Sequence, residues 1–306
     1  RDPEMSRGLG DVYKRQTQGH RRLPMSFFLR RFIFIKHTKK QGGYIMRENI
    51  KTGIKYLALF GMCFLGGRSL AAGQVVRVDG EKPCRLAILI DDFGYCGAGT
   101  EEMLALSIPF TAAVMPFSSC TAEDAERVRQ AGKEIFIHMP MESLTGKREW
   151  VGEKGVFRDM DDAAIRERME EAFSALPDAA GMNNHMGSAI MEDARSLSAV
   201  MEVLKEKGVP FVDSMTTAKS LGKAVAAEKD VALLERDVFL DSTDSVAVVK
   251  DNLRKAGEVA LEKGSAIAIG HVGPEGGKIT AQAIKEVAPE LERAGITFVT
   301  VSELAK

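Results

Sequence analysis

The stretch that decides the fold is "LAILIDDFGYCG", residues 86–97. Five apolar residues, 86–90, run without a polar break into Asp91 and Asp92, and then into an aromatic and a glycine. A short apolar run closed by turn residues reads as a strand buried on both faces, the pattern of a parallel sheet covered by helices. Two adjacent carboxylates at its end are costly to bury unless a cation or hydrogen-bond donors offset them. The end of this strand is therefore where chemistry is expected.

Outward from this stretch the pattern repeats: apolar run, polar turn, amphipathic helix. Further strands are expected at 110–115, 134–138, 180–184, 210–213, 237–241, 265–270 and 297–301. In "TAEDAERVRQAG" (121–132), Thr121 reads as the N-cap, acids fill the first turn and Gly132 is the stop. In "MDDAAIRERMEEAFSAL" (160–176), Ile165, Met169 and Phe173 share one face, and in 192–208 Leu197, Val200, Met201 and Leu204 do so. Segments 242–264 and 278–295 complete the helices, the last with Pro289 as an expected kink. About eight βα units in a row predict an α/β fold, an irregular (β/α) barrel of about seven to eight parallel strands, with a doubly wound open sheet as the alternative. No GxGxxG follows the first strand, which weighs against dinucleotide binding. The "DFG" at 92–94 has no Gly-rich phosphate loop or HRD upstream, which excludes a kinase. The long irregular loop is 143–160, which holds the single Trp.

Composition narrows the rest. The chain has 306 residues, a formal net charge of −1 and 45% hydrophobic residues, an ordinary globular balance with no basic excess for nucleic acid. Residues 1–45 show no periodicity and read as a non-native or untranslated leader. Residues 46–71 carry the three parts of a secretory signal: Arg47, Lys51 and Lys55, then the apolar "YLALFGMCFLGG", then small residues at Ser69 and Ala71. The apolar part is short for a membrane span, so no stable membrane insertion is expected after cleavage, an uncleaved anchor being the alternative. Met62 before Cys63 is a poor lipoprotein signal. Residues 72–306 are then a single domain in the periplasm or outside the cell. Three cysteines remain there, Cys84, Cys96 and Cys120, and a bridge between Cys96 and Cys120 fits their places after strand ends.

In parallel α/β folds the sites lie at the C-terminal ends of strands. Those ends here carry Asp91 and Asp92, His138, His185, Asp213, Asp241 and His271. All three histidines after residue 72 fall at such positions. One carboxylate with two neutral imidazoles makes a three-ligand set that leaves a coordination position open, as catalytic zinc requires, and a second carboxylate beside it suits a base. Asp241 alone reads as a buried, hydrogen-bonded carboxylate fixing a loop.

In this order, "ILIDDFG", "IFIHMPME", "GMNNHMGS", "PFVDSMTT", "DVFLDST" and "AIAIGHVGP" resemble the divergent polysaccharide deacetylase family, over essentially all of residues 84–304. The resemblance implies a metal-dependent hydrolase removing N-acetyl or other acyl groups from a cell-envelope polysaccharide, with a glycan as partner. By the same resemblance Asp91 is the catalytic base, Asp92 and His138 are metal ligands, and His271 is the general acid. The position four after His138, where the superfamily has a second histidine, is Glu142, and the superfamily's arginine motif is not evident. The remaining ligand is assigned to His185 by its place alone. The implied cofactor is a divalent metal, Zn²⁺ before others. Glu142, Asn184 and Asp213 are expected to contact substrate or to support the ligands from behind, with a turn role the equal alternative for Asp213. A non-catalytic carbohydrate-binding or envelope-interaction protein on the same fold is the competing expectation, and hydrolysis of an ester or a peptide a third.

Overall fold

The computed structural model describes residues 83–306; the expectations for residues 1–45 and 46–71 lie outside them. The strands are β1 Cys84–Phe93, β2 Thr111–Val114, β3 Glu134–Met141, β4 Met182–Met186, β5 Phe211–Asp213, β6 Leu233–Glu235, β7 Val238–Phe239, β8 Ser265–His271 and β9 Ile296–Val299. Eight lie in the order β6-β5-β4-β3-β2-β1-β8-β7, and every ladder is parallel. This is the irregular (β/α) barrel expected, with helices between strands.

Two features make the barrel irregular. The first is at β1, whose one edge is shared: residues 84–87 pair with β9, while Leu89 onward pairs with β2. The second is the seam between β6 and β7, which are not paired to each other. The chain itself steps across this seam: the Arg236 N–H bonds the Asp213 carbonyl on one side, and the Asp237 N–H bonds the Ile267 carbonyl on the other. The single strand expected at 237–241 is thus the two-residue β7, preceded by a β6 that the apolar pattern of "VALLERD" did not separate from a helix end.

The core explains the order of the residues. On β1, Leu86, Ile88 and Ile90 pack in the large cluster under the helices, whereas Ala87 and Leu89 join Ala113, Phe136, Val212, Ile267 and Ile269 in a second, smaller one that fills the barrel. Both faces are buried, so a strand here can be apolar at every position. Capping follows the sequence at three helices: Asp161, Asp193 and Ser245 accept from the N–H groups of Ala164, Ser196 and Val248. Thr121 differs from expectation. It is the first helical residue, Cys120 holds the N-cap position, and the Thr121 hydroxyl ties the preceding turn to Met115 and Ser118. The helix Gly277–Arg293 contains Pro289. The loop 143–160 holds a short helix, Arg148–Val151, and a bridge from Met141 to Val156. Among the described residues no helix is long and apolar enough to cross a membrane.

Candidate functional site

The period of two that separates the two core layers also builds the site. Four residues of the interior cluster lead, two positions on, to a polar group, Leu89 to Asp91, Phe136 to His138, Val212 to Ser214 and Ile269 to His271, and the same period takes Asn183 to His185 and Phe239 to Asp241. Register brings these together, since Asp91 pairs with His271, and His138 with Asn183. The polar layer therefore lies directly on the apolar layer of the barrel interior.

Asp92 breaks this alternation, and its backbone shows how. It has φ 68, within the irregular step of the β1–β2 register, so its side chain joins the same mouth as Asp91. An aspartate adopts this left-handed conformation at lower cost than most residues. The loop after it is locked by Asp124, which accepts from the Gly94 and Cys96 N–H groups, and by a Cys96–Cys120 disulfide. Gly94 is required here: at φ 111, an added Cβ would lie 3.0 Å from the Met115 carbonyl oxygen. Cys84 is free.

Asp92, His138 and His185 form a triangle of ligand atoms. Asp92 Oδ1 lies 3.4 Å from His138 Nε2 and 3.4 Å from His185 Nδ1, and the two nitrogens are 3.2 Å apart. Ligands ~2.0–2.1 Å from a tetrahedral zinc lie about 3.3–3.4 Å from one another, so these edges fit a zinc site. Asp92 Oδ1 is buried and accepts no hydrogen bond from the chain, a state that is expensive unless a cation answers it. Burial works against ionisation of Asp92, yet the two imidazoles outweigh it and hold its carboxyl well below the usual range. His138 is pushed up: burial opposes its charge, but Asp91 and Asp92 prevail.

Asp91 lies behind the triangle, 3% exposed, with Oδ1 accepting from Asn183 Nδ2 at 2.9 Å. Burial raises its pKa, with His138 and His271 pulling the other way. On the far side, His271 Nδ1 lies 2.8 Å from Asp241 Oδ1. Asp241 Oδ2 also accepts from the His271 N–H and the Thr280 hydroxyl. Burial pulls the His271 pKa down, but the Asp241 carboxylate, with Asp92 and Asp91 beyond it, raises it to about 10. Gly276 makes room for this pair: an added Cβ would lie 2.0 Å from Asp241 Oδ2.

A cavity of about 390 Å³ opens over these groups, with Asn184, Ser214, Thr216, Arg236 and Thr243 in its wall. Of the residues singled out in the sequence, Asp91, Asp92, His138, His185, His271 and Asn184 line it. Two do not. Asp213 follows Val212, so alternation turns it away from the barrel interior, where it accepts from Met215 N and Ser220 Oγ and shapes a turn. Glu142 lies past the end of β3, and Arg158 binds it through both its N–H and its guanidinium. It stands outside the cavity, and its carboxylate is hydrogen-bonded to Arg158 rather than to Asp92, His138 or His185. Asn184 faces the cavity while tying β4 to the next loop through the Ser214 N–H. Asp241 is the buried, hydrogen-bonded carboxylate read from the sequence, and its partner, which the sequence did not reveal, is His271. A signal for the pairing was present, since both stand at expected strand ends.

A curled parallel barrel with carboxylates and imidazoles gathered at its mouth defines a class, the polysaccharide deacetylase-like β/α barrels. The chain belongs to the divergent polysaccharide deacetylase family, whose model matches residues 88–305. It is 32% identical over 212 residues to an uncharacterized protein of Haemophilus influenzae Rd, covering 69% of this chain and 75% of that one. It is likewise 32% identical over 221 residues to the uncharacterized protein YibQ of Escherichia coli K12, covering 72% and 67%. Among solved structures it is similar to uncharacterized protein ATU2773 of Agrobacterium tumefaciens C58, with TM-score 0.67 and 22% identity over 74% of this chain and 90% of that chain.

Proposed function

We propose that this protein is a divalent-metal-dependent hydrolase that removes N-acetyl or other acyl groups from a cell-envelope polysaccharide. The observation that carries this reading is the Asp92–His138–His185 triangle, with the orphaned Asp92 Oδ1 at one corner. These three side chains would hold the ion, and their one-oxygen, two-nitrogen set suits Zn²⁺. When bound, the ion supplies Lewis acidity toward water and toward an acyl carbonyl. Asp91 accepts the proton that water gives up as its oxygen attacks the carbonyl carbon; burial, by raising the Asp91 pKa, makes it a better base than an exposed carboxylate. His271, kept charged by Asp241, delivers a proton to the departing nitrogen as the C–N bond breaks. The hydroxyls of Thr216 and Thr243 give the cavity wall partners for sugar hydroxyls. A periplasmic or secreted location is part of the proposal. The signal-like segment 46–71 and the Cys96–Cys120 bridge both suit an oxidising compartment.

The test is release of acetate from N-acetylated chitooligosaccharides and from peptidoglycan. The reading predicts release that a chelator stops and zinc restores. Asp91→Asn should cut turnover by ~10²–10⁴-fold, the span of general-base catalysis, with the metal retained. A zinc-loaded protein that frees no acyl group from either glycan would move the assignment to a carbohydrate-binding protein.

A further inference from the structure

Asn183 is fully buried in β4, in register with His138 on one side and Val212 on the other. Its amide meets three groups of the site. Nδ2 lies 2.9 Å from Asp91 Oδ1 and 3.2 Å from Ser214 Oγ. Oδ1 lies 2.9 Å from His138 Nδ1. The direction of these bonds follows from Ser214. Its hydroxyl has one hydrogen, which goes to the Asn184 carbonyl at 3.0 Å. Toward Asn183 it can therefore only accept, so the facing atom is the amide nitrogen. The amide oxygen then faces His138 Nδ1, which must carry a proton. That places the His138 lone pair on Nε2, the atom aimed at Asp92 and His185.

The same amide separates two groups that would otherwise pair. His138 Nδ1 is 3.6 Å from Asp91 Oδ1, just beyond hydrogen-bond reach. In many metal sites a carboxylate takes the Nδ1–H of a ligand histidine and is held by it. Here Asn183 takes that proton and gives Asp91 an N–H in exchange. Asp91 Oδ1 is thereby committed as an acceptor, and a proton taken up by Asp91 goes to Oδ2.

We infer that Asn183 is a positioning residue that fixes the Nδ1–H tautomer of His138 while keeping Asp91 from becoming that histidine's carboxylate partner. This rests on the hydrolase reading for the role of Asp91 as base, but its proton arrangement is testable without turnover. In Asn183→Ala, the freed Nδ1–H turns to Asp91, and the ligand triangle survives with its base spent on a histidine.

The experiment has three readouts on the full chain. Long-range ¹H–¹⁵N NMR of the zinc-loaded wild type should show His138 protonated at Nδ1 and not at Nε2. In Asn183→Ala that proton should shift downfield, as its acceptor changes from an amide oxygen to a carboxylate. Zinc affinity, measured by competition with a chelator, should stay within about 3-fold of wild type. The rate of p-nitrophenyl acetate hydrolysis should fall ~10²-fold or more, the scale of a lost base. An Nε2–H tautomer in the wild type would overturn the inference, and needs no variant. Loss of zinc in a folded Asn183→Ala would also overturn it, by making Asn183 a support of the ligand alone. A wild type with the Nδ1–H tautomer and bound zinc but no hydrolysis would sink the hydrolase reading and leave the proton arrangement standing.

Discussion

At the scale of single residues, the two aspartates of one sequence pair are set to different work by one backbone angle. Asp91 continues the interior row of β1 and meets Asn183, whereas Asp92, at φ 68, reaches the imidazoles. Asp92→Ala should abolish metal binding, while Asp91→Asn should leave it intact, measured by elemental analysis of each purified variant. His271 gives a prediction in pH. With its pKa raised to about 10, His271 stays charged through neutral pH, so if it is the proposed acid the alkaline fall in turnover should begin only near there. Asp241→Asn removes the largest contribution that raises this pKa and should draw the alkaline limb down toward neutrality. The same linkage acts on stability. A raised pKa stabilises the fold fully below the ordinary value of 6.5, and that contribution fades as pH climbs through about 10. The urea midpoint of the wild type should therefore fall between pH 6 and pH 10 by more than that of Asp241→Asn. Equal falls would mean that the pair is not coupled.

At the scale of elements, the loop after β1 carries the site and is tied down twice, by Asp124 and by the disulfide. Cross-linking residues 24 apart is worth about 3.5 kcal/mol in the chain-entropy account. The double variant Cys96→Ser, Cys120→Ser should lose roughly that much in denaturant unfolding. It should still bind metal, because Asp124 continues to hold Gly94. Loss of metal in the folded variant would show that the bridge, rather than the carboxylate, sets Asp92. The elements also show what the sequence could convey. The histidines were legible because each falls at the end of an expected strand, and strand ends are where parallel folds place sites. The sequence leaves Asp213 open between substrate contact and a turn because adjacent residues face opposite ways, and only the packing of Val212 says which of Asp213 and Ser214 looks inward. Glu142 was placed by its spacing from His138, whereas a backbone bridge from Met141 to Val156 brings Arg158 to claim it. The split at the barrel seam could not be read, since two-residue strands leave no periodicity. In the sequence Asn183 stands two residues before His185. Its contacts run to β1, β3 and the loop after β5, all distant in sequence.

At the scale of the whole molecule, the barrel is a ring that the chain closes by stepping across from β6 to β7, with the cavity above the interior layer. The proposed ligands come from β1, β3 and β4, so metal binding would be a tie between separate strands. An ion that binds only the folded protein stabilises it by ~2.7 kcal/mol at 100 times its dissociation constant. For a domain of this size that corresponds to about 5–10 °C in Tm. Zinc should produce such a rise in the wild type and none in Asp92→Ala; equal rises in both would place the ion elsewhere.

The most direct test of the central claim is the metal content of the purified protein, with a His185→Ala variant beside it. The account predicts about one zinc per chain in the wild type and a loss of that zinc in the variant. No zinc in the wild type after incubation with the ion, or a full equivalent retained by His185→Ala, would contradict it.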